Sequence, residues 1–373
     1  MRVLHVYSGN LFGGIETILL TIARHGAASA SHEFALCFDE RLARDLRTLG
    51  ATVHLLCPVS ASRPHTLRLA RRRLAALLGE RAFDTAVTHA PWSHALFAAV
   101  ARRAGVPVAF WAHDAWRGRH WTERWARRVT PDLIVANSAF TLSTLREVLH
   151  GARRLVLHAP VDLHGSLRTN IDRAAVRAEL STAASGLVVV QASRMEAWKG
   201  HVTLLRALGA MRADPQWTAW IVGGAQRAAE RAYEASLHRL AADLNIADRV
   251  RFVGERADVP RLLAAADICC QPNAAPEPFG VAFVEALAAG LPVVTSNIGG
   301  AADVVDESCG RLVAAGDVDG LRHTLASLMV DDDLRRRLAD AGPARAAALC
   351  DPARQLGRLH DALSSIARVA VAG

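Results

Sequence analysis

The segments RVLHVYS (residues 2–8), IETILLTIARHGA (15–27), EFALCF (33–38), ARDLRTLG (43–50) and TVHLLC (52–57) alternate short β-rich runs with helical stretches. That alternation predicts a parallel sheet covered by helices. The rhythm continues through AFDTAVTHA (82–90), a helix near SHALFAAVARRAG (93–105), VPVAFWAH (106–113), PDLIVANS (131–138) and a helix over AFTLSTLREVLH (139–150). It breaks at RLVLHAPVDLHGSLRTN (154–170), where Pro160, Gly165 and several polar residues predict an interdomain linker. A second strand-helix series then runs from GLVVVQAS (186–193) to LPVVTS (291–296). The reading is an α/β chain of two Rossmann-like, doubly wound domains facing a cleft, residues 1–162 and 163–352. An apolar helix at about 353–370 is expected to cross back onto the first domain. Ligands are expected at the carboxyl ends of the strands, beside helix N-termini.

Composition agrees with two domains, since 373 residues with 51% hydrophobic content exceed what one core usually organises. The longest apolar stretches, LLAAADICC (262–270) and VAFVEALAAGLPVV (281–294), fall short of the roughly 20 residues of a membrane-spanning helix. The chain runs directly into a strand without a secretory leader pattern, so a cytoplasmic protein is expected. The six cysteines show no paired C-x-x-C spacing and read as reduced, buried thiols. The net charge of +8 comes from arginine, and a basic surface attracts nucleic acid, anionic lipid or phosphorylated small molecules without choosing among them. Of the 44 Lys and Arg residues only Lys199 is lysine, which marks a position where a compact ammonium is wanted.

Four constellations carry chemistry. In APEPFGVAFVEALAAG (275–290), Gly280 starts a helix whose free N–H groups suit an anionic or hydroxyl-rich ligand. Glu277 precedes that start, and Glu285 lies about 7 Å along the axis from Gly280, so the two carboxylates can grip separate parts of one extended ligand. The bland alternative sets Glu277 on a solvated loop and has Glu285 complement the helix dipole. In QASRMEAWKGH (191–201), Arg194 and Lys199 follow a strand and can neutralise the same phosphates. In SGNLFGGIETILL (8–20), Gly13 and Gly14 permit close backbone approach between strand and helix, at a spacing that fits neither a dinucleotide fingerprint nor a Walker loop. His113 ends a strand and is followed by Asp114, which sets a carboxylate near the imidazole; a cap of the next helix is the plain alternative for Asp114.

Together these segments resemble the retaining glycosyltransferases of the GT-B fold, specifically glycosyltransferase family 4. The resemblance covers almost the whole chain and is strongest from about Val188 to Leu312. Seven residues separate Glu277 from Glu285, as in the family's E-x7-E signature; QASRMEAWKGH looks like its R-x4-K-G element and GGIE like its GG-x-E loop. The resemblance implies that Glu277 binds donor-sugar hydroxyls, that the backbone at Phe279 and Gly280 supports the sugar, and that Glu285 binds ribose. It further implies that Arg194 and Lys199 neutralise the departing diphosphate, that Gly14 faces donor phosphate, and that His113 lies close to the transferred sugar. Base recognition falls to the loop VGERAD, which includes Gly254 and Arg256. The chain departs from the family pattern at Ser193, where glycine often precedes the arginine, and at HAPVD (158–162), which replaces a common N-G-V-D linker.

The implied reaction moves a hexose-type unit from a nucleotide diphosphate sugar to an acceptor hydroxyl, with retained configuration and without metal or other cofactor. The pathway class is polysaccharide, glycolipid or other glycoconjugate synthesis, with an unassigned saccharide, lipid-linked or small-molecule acceptor. The alternatives are a GT-B phosphorylase, a nucleotide-sugar epimerase, or a non-catalytic sugar-nucleotide binder. Asp317 and Asp319 read D-x-D, a metal pattern elsewhere, but sit where a helix cap is expected; Asp331 to Asp333 likewise precede a helix, and Cys269 and Cys270 read as core. The basic segments 67–83 and 116–128 suit contact with anionic lipid at the inner membrane face, against solvated helix faces as the plain alternative. No stacking platform or recognition helix for nucleic acid stands out.

Overall fold

The computed structural model describes residues 1–26, 30–60, 62–146, 149–163, 171–213 and 217–372. The chain divides into two compact units, Met1–Val161 with Cys350–Gly373, and Asp162–Leu349. Gly165 and the rest of 164–170 lie outside the described residues.

In the first unit, β1 (Arg2–Tyr7), α1 (Gly14–His25), β2 (Ser31–Leu36), α2 (Arg41–Thr48), β3 (Thr52–Leu55), α3 (Pro64–Glu80), β4 (Thr85–His89), α4 (Ala90–Arg103), β5 (Val108–Ala112), α5 (Trp121–Ala126), β6 (Leu133–Ala136), α6 (Ala139–Thr144) and β7 (Arg153–Val156) follow in order. Its strands form one parallel sheet in the order β3-β2-β1-β4-β5-β6-β7. β4 and β5 are buried along their whole length, as expected of central parallel strands covered on both faces.

The second unit holds α7 (Arg173–Glu179), β8 (Leu187–Ala192), α8 (His201–Gly209), β9 (Trp217–Val222), α9 (Ala228–Asp243), β10 (Val250–Gly254), α10 (Val259–Ala265), β11 (Ile268–Gln271), α11 (Val281–Ala288), β12 (Val293–Ser296), α12 (Ala301–Val304), β13 (Gly310–Val313), α13 (Val318–Val330) and α14 (Asp332–Cys350). Its sheet is also parallel, in the order β10-β9-β8-β11-β12-β13. α15 (Pro352–Ala372) belongs to the first unit and packs on α1, β4 and β6.

Strand order reverses direction between β1 and β4 in one sheet and between β8 and β11 in the other. Beyond the carboxyl ends of strands at such a switch point two loops diverge and leave a crevice. The segments singled out in the sequence leave these strands: GGIE follows β1, SRMEAWKGH follows β8, and Glu277 follows β11.

Several local expectations change. RLV (154–156), read as the start of the linker, is the edge strand β7, paired with β6. β13, an edge strand paired with β12, is not among the expected strands. α6 ends at Thr144, short of the helix expected to 150. Asp114 does not cap α5; His120 does, accepting from Thr122 N, while Glu123 accepts from His120 N.

Asp317 caps α13 through Gly320 N, and Asp331 accepts from Leu334 N, so neither acid needs a metal to explain it. The six cysteines form no disulfide, and all are buried. Burial pushes the Cys269 thiol up to about 12. Among the described residues no helix is long and apolar enough to cross a membrane.

Candidate functional site

Lys199 and Glu277 meet directly. The ammonium donates to Glu277 Oε2 at 2.8 Å, and the same oxygen accepts from Asn273 Nδ2 at 2.9 Å and Gln271 Nε2 at 3.3 Å. Glu277 is 6% exposed, so it is not a solvated loop acid. A carboxylate this far out of water requires paired donors, and here three converge on one oxygen.

The backbone brings the two loops into close approach. Gly200 has φ +80°, and a Cβ there would lie 1.8 Å from the Pro272 carbonyl oxygen. Gln191 holds the Lys199 carbonyl at 2.9 Å, and the Trp198 ring lies 3.9 Å beneath the ammonium. Across the site, Glu277 forms a parallel bridge with Gly299, whose φ is +75° and whose Cβ would clash with the Glu277 carbonyl at 2.3 Å. The carbonyl then accepts from Gly300 N.

Gln191, Gln271, Asn273 and Gly299 escaped the sequence reading. The signal available was polar residues at the ends of buried strands, in VVVQAS and ICCQPN. Gln191 Oε1 and Gln271 Oε1 are buried without a hydrogen-bond partner, so this pocket still holds unused acceptors.

Arg194 leaves the same loop but is held by Glu196, with Glu230 at 3.9 Å. Ser193, the departure from the family pattern, carries a carbonyl that tolerates only glycine opposite it: a Cβ on Gly223 would lie 2.0 Å from the Ser193 oxygen. Its hydroxyl reaches His201 Nε2 at 3.3 Å.

Gly280 has φ +98° and is the N-cap of α11, and Phe279 is buried beside it. α1, α8 and α11 begin on glycine N-caps (Gly13, Gly200, Gly280) without a side-chain cap, unlike α6, α7 and α13, capped by Ser138, Asp172 and Asp317. Each uncapped start leaves backbone N–H groups available to an oxygen-rich ligand.

Glu285 lies one turn into α11, and burial pushes its carboxyl up to about 7. Gly254, φ +74°, ends β10 at an irregular register and accepts from Gly223 N at 2.9 Å. Arg256 beyond it is bound by Asp258 and Glu179, which also pair with Arg261. The Arg256 hydrogen bonds hold Asp258 down at about 2.

In the first unit, Gly14 opens α1 above a buried pair in which Tyr7 OH donates to Glu16 at 2.8 Å. His113 follows β5, 5% exposed, with its carbonyl fixed by Asn137 at 2.9 Å and its ring stacked on Trp111 and His89. Burial pushes the His113 imidazole down to about 3, so it is neutral at ordinary pH. His113 Nδ1 is buried without a partner.

The basic segments are amphipathic. On α3, Ala70, Leu74, Leu77 and Leu78 are buried while Arg68, Leu69, Arg72 and Arg73 are exposed. On α5, Trp125 is 40% exposed beneath Arg128, whereas Trp116 is buried. Arg117, Arg119, His120 and Glu123 line a hollow beside it.

Two parallel α/β domains, with basic and acidic side chains concentrated at the strand ends, define the class of a GT-B glycosyltransferase. Residues 12–164 match the family glycosyltransferase family 4, and residues 172–345 match glycosyl transferases group 1. The chain is 28% identical, over 83% of its length and 81% of the relative's, to a GDP-mannose-dependent monoacylated α-(1-6)-phosphatidylinositol monomannoside mannosyltransferase of Corynebacterium glutamicum. It is 33% identical to a lipopolysaccharide core biosynthesis glycosyltransferase of Rhizobium meliloti, over 44% of this chain and 46% of that protein, so it spans under half of that relative. The crystal structure of Anabaena HepE with UDP and glucose superposes with a TM-score of 0.87 at 26% identity, over 98% of this chain and 100% of that one. The chain belongs to glycosyltransferase family 4.

Proposed function

We propose that the protein transfers a hexose from a nucleotide diphosphate sugar to a hydroxyl of a glycolipid or lipopolysaccharide-type acceptor, with retention and without a metal. The observation that carries the reading is the Lys199–Glu277 pair, a cation and a carboxylate locked together where β8 and β11 diverge. Glu277 has an acceptor oxygen for sugar hydroxyls while its partner ammonium faces the leaving phosphate. Lys199 and Arg194 supply the positive charge that a departing diphosphate needs, a task a metal performs in other transferases.

The uncapped starts of α8 and α11 add backbone donors, and Glu285 at about 7 suits a hydrogen bond to ribose hydroxyls in either protonation state. Family membership supports retention, as a same-face displacement assisted by the leaving phosphate. Related proteins that use GDP-mannose or bind UDP and glucose support a uridine or guanosine donor. The exposed arginines of α3 and the Trp125 edge of α5 fit peripheral contact with an anionic membrane face that presents the acceptor.

A thermal-shift panel of UDP, GDP and ADP with their sugars tests the donor site. One uridine or guanosine pair is expected to stabilise the chain and to undergo slow hydrolysis without acceptor, and Glu277→Ala is expected to abolish that hydrolysis. Stabilisation by no member of the panel overturns the reading.

A further inference from the structure

Three side-chain donors meet one oxygen of Glu277 and leave the other alone. Oε2 accepts from Lys199 Nζ at 2.8 Å, from Asn273 Nδ2 at 2.9 Å and from Gln271 Nε2 at 3.3 Å. A carboxylate oxygen has two lone pairs, so the two short bonds fill Oε2 and the longer third shares them. Oε1 has no hydrogen-bond partner among the described residues and is not one of the buried side-chain atoms that lack one, so it is the oxygen that reaches solvent. All four residues lie in the second unit, so the arrangement is complete within it.

The chain builds this clamp from two loops. Gln271 ends β11, and Asn273 and Glu277 follow it. The Gln271 carbonyl is held twice, by Thr295 Oγ1 at 2.9 Å and by Asn273 N at 3.0 Å. Ala274 N donates to the Trp198 carbonyl at 2.8 Å, which ties this loop to the one that carries Lys199. Asn273 is fully buried and Gln271 is 1% exposed, so both amides serve Glu277 from behind and neither meets a ligand.

The amide orientations follow from their neighbours. Glu277 Oε2 only accepts, so Asn273 turns Nδ2 toward it. Asn273 Oδ1 then takes one hydrogen of Gln271 Nε2 at 3.0 Å, and the other hydrogen of that group goes to Glu277. Each amide thereby orients the next. Lysine acts differently, because its ammonium is a compact point charge on a flexible stem and either carboxylate oxygen satisfies it. Lys199 supplies the charge, and the planar amides supply the direction.

We propose that Asn273 and Gln271 are positioning residues for sugar transfer: they bind Glu277 Oε2 to the protein and so present Oε1 as the one oxygen that accepts from donor-sugar hydroxyls. The proposal rests on the transferase reading above and deepens it. Without the two amides, the carboxylate turns about its last bond and shares its ligand-facing position between two oxygens.

Oε1 accepts and cannot donate, so its partner must bring a hydrogen, as a sugar hydroxyl does. That hydroxyl keeps its proton and no bond to Glu277 forms, which leaves the same-face displacement to the leaving phosphate. A nucleoside diphosphate without its sugar has nothing to place against Oε1. Its affinity should therefore be blind to Asn273, whereas that of the nucleotide sugar should not.

The test is calorimetry on the full chain with UDP-glucose and GDP-mannose, each beside UDP or GDP alone. Asn273→Leu keeps the side-chain volume and Asn273→Ala gives it up, and neither donates. Both are expected to weaken the nucleotide sugar that binds wild type by about ten-fold, the scale of one hydrogen bond to a charged group. The matching nucleoside diphosphate should stay within about two-fold, since its contacts are independent of this oxygen. Gln271→Leu, which removes the longer bond, should cost about three-fold.

In a Glu277→Ala background, Asn273→Leu should add less than about two-fold, because its effect runs through the carboxylate. Where the Asn273 variants do not fold, the same cycle is run with Gln271→Leu. Parallel loss of nucleotide sugar and nucleoside diphosphate overturns the proposal, since it assigns Asn273 to loop shape alone. A loss confined to Asn273→Ala, undiminished loss in the Glu277→Ala background, or wild-type affinity in the folded Asn273→Leu chain overturns it as well. A wild type that binds neither nucleotide sugar overturns the donor reading itself, whereas binding with an additive cycle overturns only the positioning role.

Discussion

The two sheets share one topology and solve opposite problems at their switch points. The second unit concentrates charge: Lys199 on Glu277, Arg194 on Glu196, Arg256 on Asp258. The first unit instead sets His113, His89 and His5 in a row of neutral rings beside the buried Tyr7–Glu16 pair. Strand ends lined by paired charges suit the anionic donor proposed above, whereas a row of neutral rings offers such a ligand no charge. The fold is thus one frame repeated, with paired charge gathered at the strand ends of one half.

The largest expected effect comes from breaking the charged side. Lys199→Met leaves the Glu277 carboxylate buried with only two amide donors, and loss of one partner of a buried pair typically costs about 3–5 kcal/mol. Transfer should fall at least ~100-fold, in line with loss of a preorganised charge at a leaving group. Lys199→Met combined with Glu277→Gln should recover most of the stability and none of the activity. Denaturant titration of the cycle checks this, and additive stabilities would show that the two groups are not coupled.

Next in size is the acid response of the neutral side. An imidazole pushed down by burial contributes stability that is full above its ordinary value near 6.5 and lost as pH falls toward the folded-state value. His113 and His32 lie at about 3 and His94 at about 4, so the window is pH 6.5 down to 3. Each such ring costs about 2 kcal/mol at pH 5 relative to pH 8. Hydrogen exchange should show β1, β2, β4 and β5 losing protection at pH 5; equal protection at both pH values would place charge where the rings are neutral.

Glu285 has the opposite sign within the charged unit. Its carboxyl is raised to about 7, so its contribution is full below about 4.5 and disappears as pH rises through 7. Glu285→Gln should match the wild type at pH 5 and exceed it at pH 8 by on the order of 2 kcal/mol. Melting curves at the two pH values decide it. A variant less stable at pH 8 would mean that the wild-type carboxylate is paired.

The central strands and the charged side of this comparison are legible in the sequence, and the neutral row is not. Strands such as VAFWA and LVVVQA stood out because central parallel strands are continuous apolar runs, and Glu277, Glu285, Arg194 and Lys199 stood out by spacing. β7 and β13 did not, because they are four-residue edge strands, and Arg153 and Arg154 make β7 read as a polar loop. The supports of Glu277 were hidden for another reason: Gln271 and Asn273 matter only through where their amides converge. The row of His5, His89 and His113 is the least legible, because its members lie far apart in sequence and become neighbours only through strand order and register.

The smallest effect separates charge that binds ligand from charge that merely shapes a loop. Arg256 is expected to hold the loop after Gly254 through Asp258 and Glu179, leaving backbone groups to meet the nucleotide base. Exposed ion pairs of this kind contribute little to stability, so Arg256→Ala should leave the melting temperature nearly unchanged. Nucleotide affinity should fall about three-fold, since ordering one loop costs less than about 1.4 kcal/mol, the equivalent of ten-fold. Calorimetry with the nucleoside diphosphate at low and high salt discriminates the two roles. A loss that persists at both salts belongs to loop shape, whereas one that vanishes at high salt means the guanidinium attracts the phosphates through solvent.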